Sequence, residues 1–228
     1  MISRIFVLKP KGFEGVAMQK AGLGKDRMSI LAIGAHPDDI ELGCGGTLAK
    51  LAQAGAQIHA VIFSKGRRGA LSDQDRATET RAALEILGIQ KISVYDFDDT
   101  RLGGCLNEMV AVLDQHVAAA APRRAYTMFQ HDRHQDHRAV YEASAIACRH
   151  VPQFLGYETP SSYPNFVPTV FEDISEYLDI KVTSLNCHTS QGQRLYMQKD
   201  KIRAAAHFRG AQIDLGPSEG FIPYKIVF

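Results

Sequence analysis

The feature that most constrains this chain is an alternation of element types that begins at Ser29. Short apolar runs at residues 29–35, 57–63, 92–95 and 125–129 have the length and composition of buried strands. Between them lie segments with helical character at 42–54, 72–87, 106–121 and 137–150. Gly55 and Gly88 suit the left-handed turn that follows a helix, Pro122 stops one, and Ser72 can cap one. A β-α-β-α-β-α-β-α pattern leaves few solutions, because parallel strands need crossover connections and these are right-handed. The expected fold is α/β: a three-layer Rossmann-like architecture with a mostly parallel sheet and helices on both faces. With strand order 3-2-1-4, the first and fourth strands adjoin where the winding reverses, and ligands bind beyond their carboxyl ends. The loops after Ala35 and Phe129 are then side by side.

The 228 residues, 45% hydrophobic and 22% charged, suit one globular domain over 29–228, preceded by an extension over 1–28. Pro160, Pro164 and Pro168 interrupt the later part, where 169–172 reads as a strand and 177–188 and 195–208 as helices. Lys and Arg number 26 against 25 Asp and Glu, so nothing draws the chain to nucleic acid or an anionic membrane. No apolar run approaches the roughly 20 residues of a membrane span, and the first 28 residues lack the apolar centre of a signal peptide. Cys44, Cys105, Cys148 and Cys187 form no C-x-x-C pair, which argues against a redox motif, a zinc knuckle or a disulfide framework. A small polar substrate and a cytoplasmic location are the expectation.

The loop after the first strand reads His36-Pro37-Asp38-Asp39-Ile40-Glu41, and the loop after the fourth reads His131-Asp132-Arg133-His134-Gln135-Asp136-His137. A tight turn at Pro37 can aim His36 and Asp39 at one point. His137 from the neighbouring loop then completes three protein ligands, with a fourth position left for water. Two imidazole nitrogens and a carboxylate oxygen are donors that zinc accepts. Either loop alone would read equally well as turn and cap residues. Their coincidence at the two positions that the fold brings together is what points to a site.

These residues carry a resemblance. Ala35-His36-Pro37-Asp38-Asp39-Ile40-Glu41 followed by Gly45-Gly46-Thr47, together with His134-Gln135-Asp136-His137, resembles the PIG-L/LmbE-like family of zinc-dependent N-acetylglucosamine deacetylases. The match extends through Arg76-Ala77-Thr78-Glu79, Asp98-Asp99 and Lys181 to Ser190-Gln191. The resemblance implies one zinc ion per chain on His36, Asp39 and His137, with Asp38 as general base on the metal's water, whose pKa zinc lowers to about 7. A protonated His134 then stabilises the carbonyl oxygen, and Asp136 holds His134. Whether Asp38 or His134 supplies the leaving amine's proton stays open. Arg76 and Asp99 resemble the family's sugar contacts. The resemblance also leaves room for a homo-oligomer, for which the sequence offers no interface. Ser218-Glu219-Gly220-Phe221 departs from the family's usual Ala-Glu before Phe.

Other signals are weaker. Gly43-Cys44-Gly45-Gly46 lacks the third glycine of a dinucleotide fingerprint and follows three carboxylates, which would repel a pyrophosphate. It suits close helix packing better. The basic run 65–69 reads as an exposed loop or a phosphate contact, and no nucleophile elbow is present. Glu41, Glu79 and His188 read as structural. The expected function is removal of an N-acyl group, here N-acetyl, from a small amino-sugar derivative. The competing readings are a zinc amidase on a larger sugar or thiol conjugate and a non-catalytic sugar- or nucleotide-binding module.

Overall fold

The computed structural model of the chain describes residues 27–69 and 76–228. All but the last two residues of the expected 1–28 extension lie outside these residues, as does the cap at Ser72. The alternation is present as β1 (Ser29–Gly34), α1 (Asp39–Gln53), β2 (Gln57–Ile62), α2 (Arg76–Ile86), β3 (Lys91–Val94), α3 (Leu106–Ala120), β4 (Arg124–Met128) and α4 (Gln135–Ala147). Beyond it come β5 (Gln153–Tyr157), β6 (Val170–Asp173), α5 (Leu178–Leu185), α6 (Lys199–Ala211) and β7 (Ser218–Ile226). Among the described residues the strands form one sheet in the order β3-β2-β1-β4-β5-β7-β6. β1 to β5 are parallel, and β7 runs antiparallel between β5 and β6.

The chain leaves β1 toward β2 and β3, then crosses back to β4 on the other side of β1. Right-handed crossovers therefore put α1 and α2 on one face and α3 and α4 on the other. α5 packs on α1 and α2, while α3 packs on α4. Covered on both faces, β1 is buried from Ile30 to Gly34, which is why it reads as an unbroken apolar run.

Two strands escape the sequence pattern. β5 is a five-residue segment containing Gly156, where a Cβ would stand 2.7 Å from the Tyr224 ring, so glycine is needed for that ring to lie across the strand. β7 contains Pro223, which ordinarily argues against an interior strand. Its ladder with β6 ends at Phe221, and on the β5 side Pro223 pairs with Leu155 where the register shifts, an irregularity of the kind that admits proline.

α1 begins at Asp39, three residues earlier than periodicity suggests, and is broken at Cys44 (φ −143°, ψ 18°). The break is capped from afar. The buried Glu219 carboxylate accepts hydrogen bonds from the amides of Gly46 at 2.9 Å and Thr47 at 2.7 Å, and from Lys181 Nζ at 2.5 Å. At Gly43 a Cβ would stand 2.1 Å from the ring of Tyr157, whose hydroxyl donates to the Ile33 carbonyl at 2.7 Å. The glycine run thus serves close packing. A second apolar cluster, including Ile174, Leu178, Val182, Ile202 and Ala206, lies apart from the main core. No helix among the described residues is long and apolar enough to cross a membrane.

Candidate active site

β1 delivers the chain to the carboxyl edge of the sheet, and residues 35–38 turn it into α1. Asp38, at the turn, has φ 98° and ψ −23°. A residue with a side chain held there stores about 1–3 kcal/mol of strain, which persists only where the surroundings enforce it. Arg76 enforces it. Buried at the start of α2, it donates from Nη2 to the Pro37 carbonyl at 2.8 Å and to Asp38 Oδ2 at 3.3 Å. Its Nη1 donates to the Gly66 carbonyl at 2.8 Å. Gly66 has φ 64°, and a Cβ there would stand 2.4 Å from that nitrogen. Arg76, expected as a sugar contact, is therefore first a clamp on the Asp38 turn, although it also lines the cleft.

Asp39 Oδ2 accepts from the amides of Ala35 at 3.1 Å and His36 at 2.7 Å, and its Oδ1 stands 3.3 Å from His137 Nε2. His36 Nδ1 is 3.7 Å from Asp39 Oδ2, while Nε2 lies 3.1 Å from Asp136 Oδ2 and 3.2 Å from Asp99 Oδ1. His137 Nδ1 lies 3.1 Å from Asp132 Oδ2. The rings of His36, His134 and His137 cluster, with centroids 4.6 to 5.5 Å apart.

Seven of the eight residues singled out from sequence line one cleft of about 360 Å³: His36, Asp38, Asp39, Arg76, Asp99, His134 and His137. The eighth, Asp136, stands behind it and not where it was expected. Its carboxylate faces His36 and the amides of Thr100 at 2.7 Å and Leu102 at 3.2 Å. Only its backbone amide reaches His134, donating to Nδ1 at 3.2 Å, because His134 caps α4 and Asp136 lies in the first turn. With Nδ1 accepting, the proton of His134 sits on Nε2. Burial, then the charges of His36 and His137, hold its pKa below the ordinary value, so the imidazolium expected there is disfavoured.

The electrostatics of the cleft are those of crowded carboxylates. Burial pushes Asp38 up, Asp39 adds to the effect, and the result is about 6. Asp39 is held well below the usual range: burial opposes this, but His137 and His36 prevail. Burial likewise opposes the shifts of Asp99 and Asp132, yet hydrogen bonds from His36 and His137 respectively bring both to about 2. His36 lies well above its ordinary value and His137 at about 9, since their carboxylate partners outweigh burial.

The carboxylates around His36 and His137 favour positive charge in the cleft, which a divalent cation also supplies. Ligand atoms of His36, His134 and His137, and of His36, Asp99 and Asp136, come within 4.8 Å of one another, so the site is a possible His/Asp metal-binding group. Asp99 and Asp136 are engaged by backbone amides and by the far nitrogen of His36. His36, Asp39 and His137 each have a partner on one side of the side chain: Asp136 at His36 Nε2, the loop amides at Asp39 Oδ2, and Asp132 at His137 Nδ1. Carboxylates placed behind imidazoles in this way are an arrangement that orients them for a metal ion.

Sequence reasoning assigned no role to Asp132, which is fully buried and also accepts from the His134 amide at 2.8 Å and Thr159 Oγ1 at 2.6 Å. Its place between two histidines of the same loop was the available signal. Glu41 is fully buried, accepts from Thr80 Oγ1 at 2.6 Å and lies 3.0 Å from His188 Nε2. Glu79 fastens the 189–191 turn through Thr189 and Ser190. The basic run 65–69 is paired with acids, Lys65 and Arg67 with Asp96 and Arg68 with Asp98.

Comparison with known proteins shows the family and the fold. Residues 31–148 match the PIG-L family, described as GlcNAc-PI de-N-acetylase. The chain is 49% identical over 170 residues to the uncharacterized deacetylase YaiS of Escherichia coli K12, covering 72% of this chain and 92% of that protein. It is 28% identical over 194 residues to the diacetylchitobiose deacetylase of Thermococcus kodakarensis, covering 73% and 71%. Among solved structures, the conserved protein TT1542 of Thermus thermophilus superposes with a TM-score of 0.78 at 25% identity, covering 88% of this chain and 96% of that one.

Proposed function

With the chain belonging to the PIG-L/LmbE-like deacetylase family, we propose that it is a zinc-dependent hydrolase that removes an N-acetyl group from a small amino-sugar derivative. One observation carries the reading: two loops far apart in sequence bring a strained, buried carboxylate, Asp38, beside a metal-type donor set in a single cleft. A sugar- or nucleotide-binding module needs neither the strain nor the donors. The relative from Thermococcus kodakarensis, named for an N-acetylated sugar, supports the substrate class.

His36, Asp39 and His137 hold the zinc. When bound, the metal supplies Lewis-acid polarisation of the amide carbonyl and a water acidic enough to react near neutrality. Asp38 is the general base. Its pKa of about 6 suits a group that takes a proton near neutral pH, and Arg76 keeps the carboxylate aimed into the cleft.

His134 acts as a neutral donor. With Nδ1 engaged by the Asp136 amide, its Nε2–H is the free donor for the negative charge that grows on the carbonyl oxygen. The proton held on Asp38 is then available to the departing amine. Asp136 and Asp132 act through His36 and His137 as positioning residues. Asp99, on the wall of the cleft, accepts a sugar hydroxyl. Four free cysteines suit a reducing, cytoplasmic setting.

The test is acetate release from a panel of N-acetylglucosamine derivatives by zinc-loaded protein, beside Asp38→Asn. Release by the wild type alone is the expected result. No release from any compound, with zinc bound, would remove the N-acetyl reading and point to larger amides.

A further inference from the structure

A second cavity of about 350 Å³, between α6 and the start of β7, adjoins the polar site, and Leu42, Pro160 and Tyr196 line both spaces. Its wall is Ile202, Ala205, Ala206 and Phe208 on one side and Gly43 and Gly220 on the other. Ile202 and Ala206 belong to the second apolar cluster, so the cavity opens onto that cluster. Phe208, at the rim, remains 59% exposed, a large apolar side chain with no protein partner covering most of it.

The charges around this cavity are already matched. Lys181 pairs with Glu219 at 2.5 Å, and both are buried and further satisfied by backbone groups. Arg209 forks onto Glu158 at 2.6 and 3.0 Å and lies over the rings of Phe166 and Phe208. Lys201 pairs with Asp200 at 3.3 Å. With these charges internally matched, the cavity has apolar surface to offer, and it borders the polar cleft along Leu42, Pro160 and Tyr196.

We propose that this cavity is a second chamber of the substrate cleft and takes an alkyl chain carried by the amino-sugar substrate. The inference rests on the deacetylase reading for the identity of the sugar-bearing half, and on the chamber alone for the apolar half. Tyr196 stands at the junction, so a chain entering the chamber passes its ring. Such a chain has two possible origins, the aglycone or the acyl group, and both present the same methylenes to the wall.

Zinc-loaded Asp38→Asn protein allows binding to be read by calorimetry without turnover. The probes are the methyl, butyl and octyl β-glycosides of N-acetylglucosamine, and glucosamine N-acylated with acetyl, butanoyl and octanoyl groups. A fully buried methylene contributes about fourfold in affinity. In a chamber open to water, at least about tenfold from the shortest to the longest member of one series is expected. The series that responds identifies the source of the chain. Ala205→Trp, at an exposed position on the chamber wall, should shrink that ratio to less than about threefold, and Phe208→Ala should lower it as well. Affinity independent of chain length in both series, no binding at any length, or a length dependence that survives Ala205→Trp would overturn the chamber. Release of the acid by wild-type protein is read separately. Length-dependent binding without release sinks the deacetylase reading and leaves the chamber, and release without length dependence does the reverse.

Discussion

Replacing Glu219 with alanine should cost this protein about 4 kcal/mol of stability without touching the cleft's histidines. The Glu219 carboxylate is 4% exposed and has three donors: the amides of Gly46 and Thr47 and the Lys181 ammonium. Removing one partner of a buried ion pair costs about 3–5 kcal/mol. Each buried donor left without an acceptor costs about 1–3 kcal/mol. These contributions overlap, since one carboxylate answers all three donors, and Lys181 keeps the Leu42 carbonyl at 2.7 Å. About 4 kcal/mol is therefore the expectation in place of the sum. It is a large part of the roughly 5–15 kcal/mol available to a folded domain, and at this chain length it lowers Tm by about 8–16 °C. Urea denaturation followed by circular dichroism gives the free energy, and hydrogen exchange at Gly46 and Thr47 localises it to the break in α1. Lys181→Met combined with Glu219→Leu should recover part of the loss, because it leaves neither charge unpaired. A loss below about 1 kcal/mol, with exchange at Gly46 and Thr47 unchanged, would refute the view that β7 caps the second half of α1.

Three further outcomes follow from the same geometry. Asp132→Asn should weaken zinc binding about 10–100-fold, read by competition with a chromophoric chelator, because it removes the carboxylate behind His137 Nδ1; unchanged affinity would separate Asp132 from the metal. In metal-free protein, Asp38 is raised to about 6, so it binds its proton more tightly folded than unfolded. Its contribution to stability is full below about 4 and is lost as pH rises through 6, up to about 3 kcal/mol. Asp38→Asn should flatten that part of the stability–pH curve and lower turnover at least about 100-fold, and a curve that matches the wild type would disprove the shift. Gly43→Ala should destabilise by at least about 1–3 kcal/mol in thermal melts, since its Cβ would fall 2.1 Å from the Tyr157 ring; a melt equal to wild type would show that Tyr157 yields freely.

Local sequence determined the first two-thirds of the fold. The runs at 29–35, 57–63, 92–95 and 125–129 could only be buried strands joined by crossovers, and chirality then put the loops of His36 and His137 side by side at the switch point. Those loops carry their residue types openly, so seven of the eight expected side chains meet in one cleft. Tertiary structure decided what depends on partners distant in sequence. Asp136 turned to His36, 100 residues away, and away from the ring of His134, because the helix start gave His134 the Asp136 amide instead. Arg76 became a clamp because the Gly66 and Pro37 carbonyls close around it. β5 and β7 are strands by virtue of their neighbours: Gly156 is legible only against Tyr224, and Pro223 only once β6 is seen to stop short of it and the register with β5 to shift there. Periodicity reports the burial of a face, which each segment carries in itself. Hydrogen-bond and ion-pair partners belong to pairs of segments, and the chain must be folded before they exist.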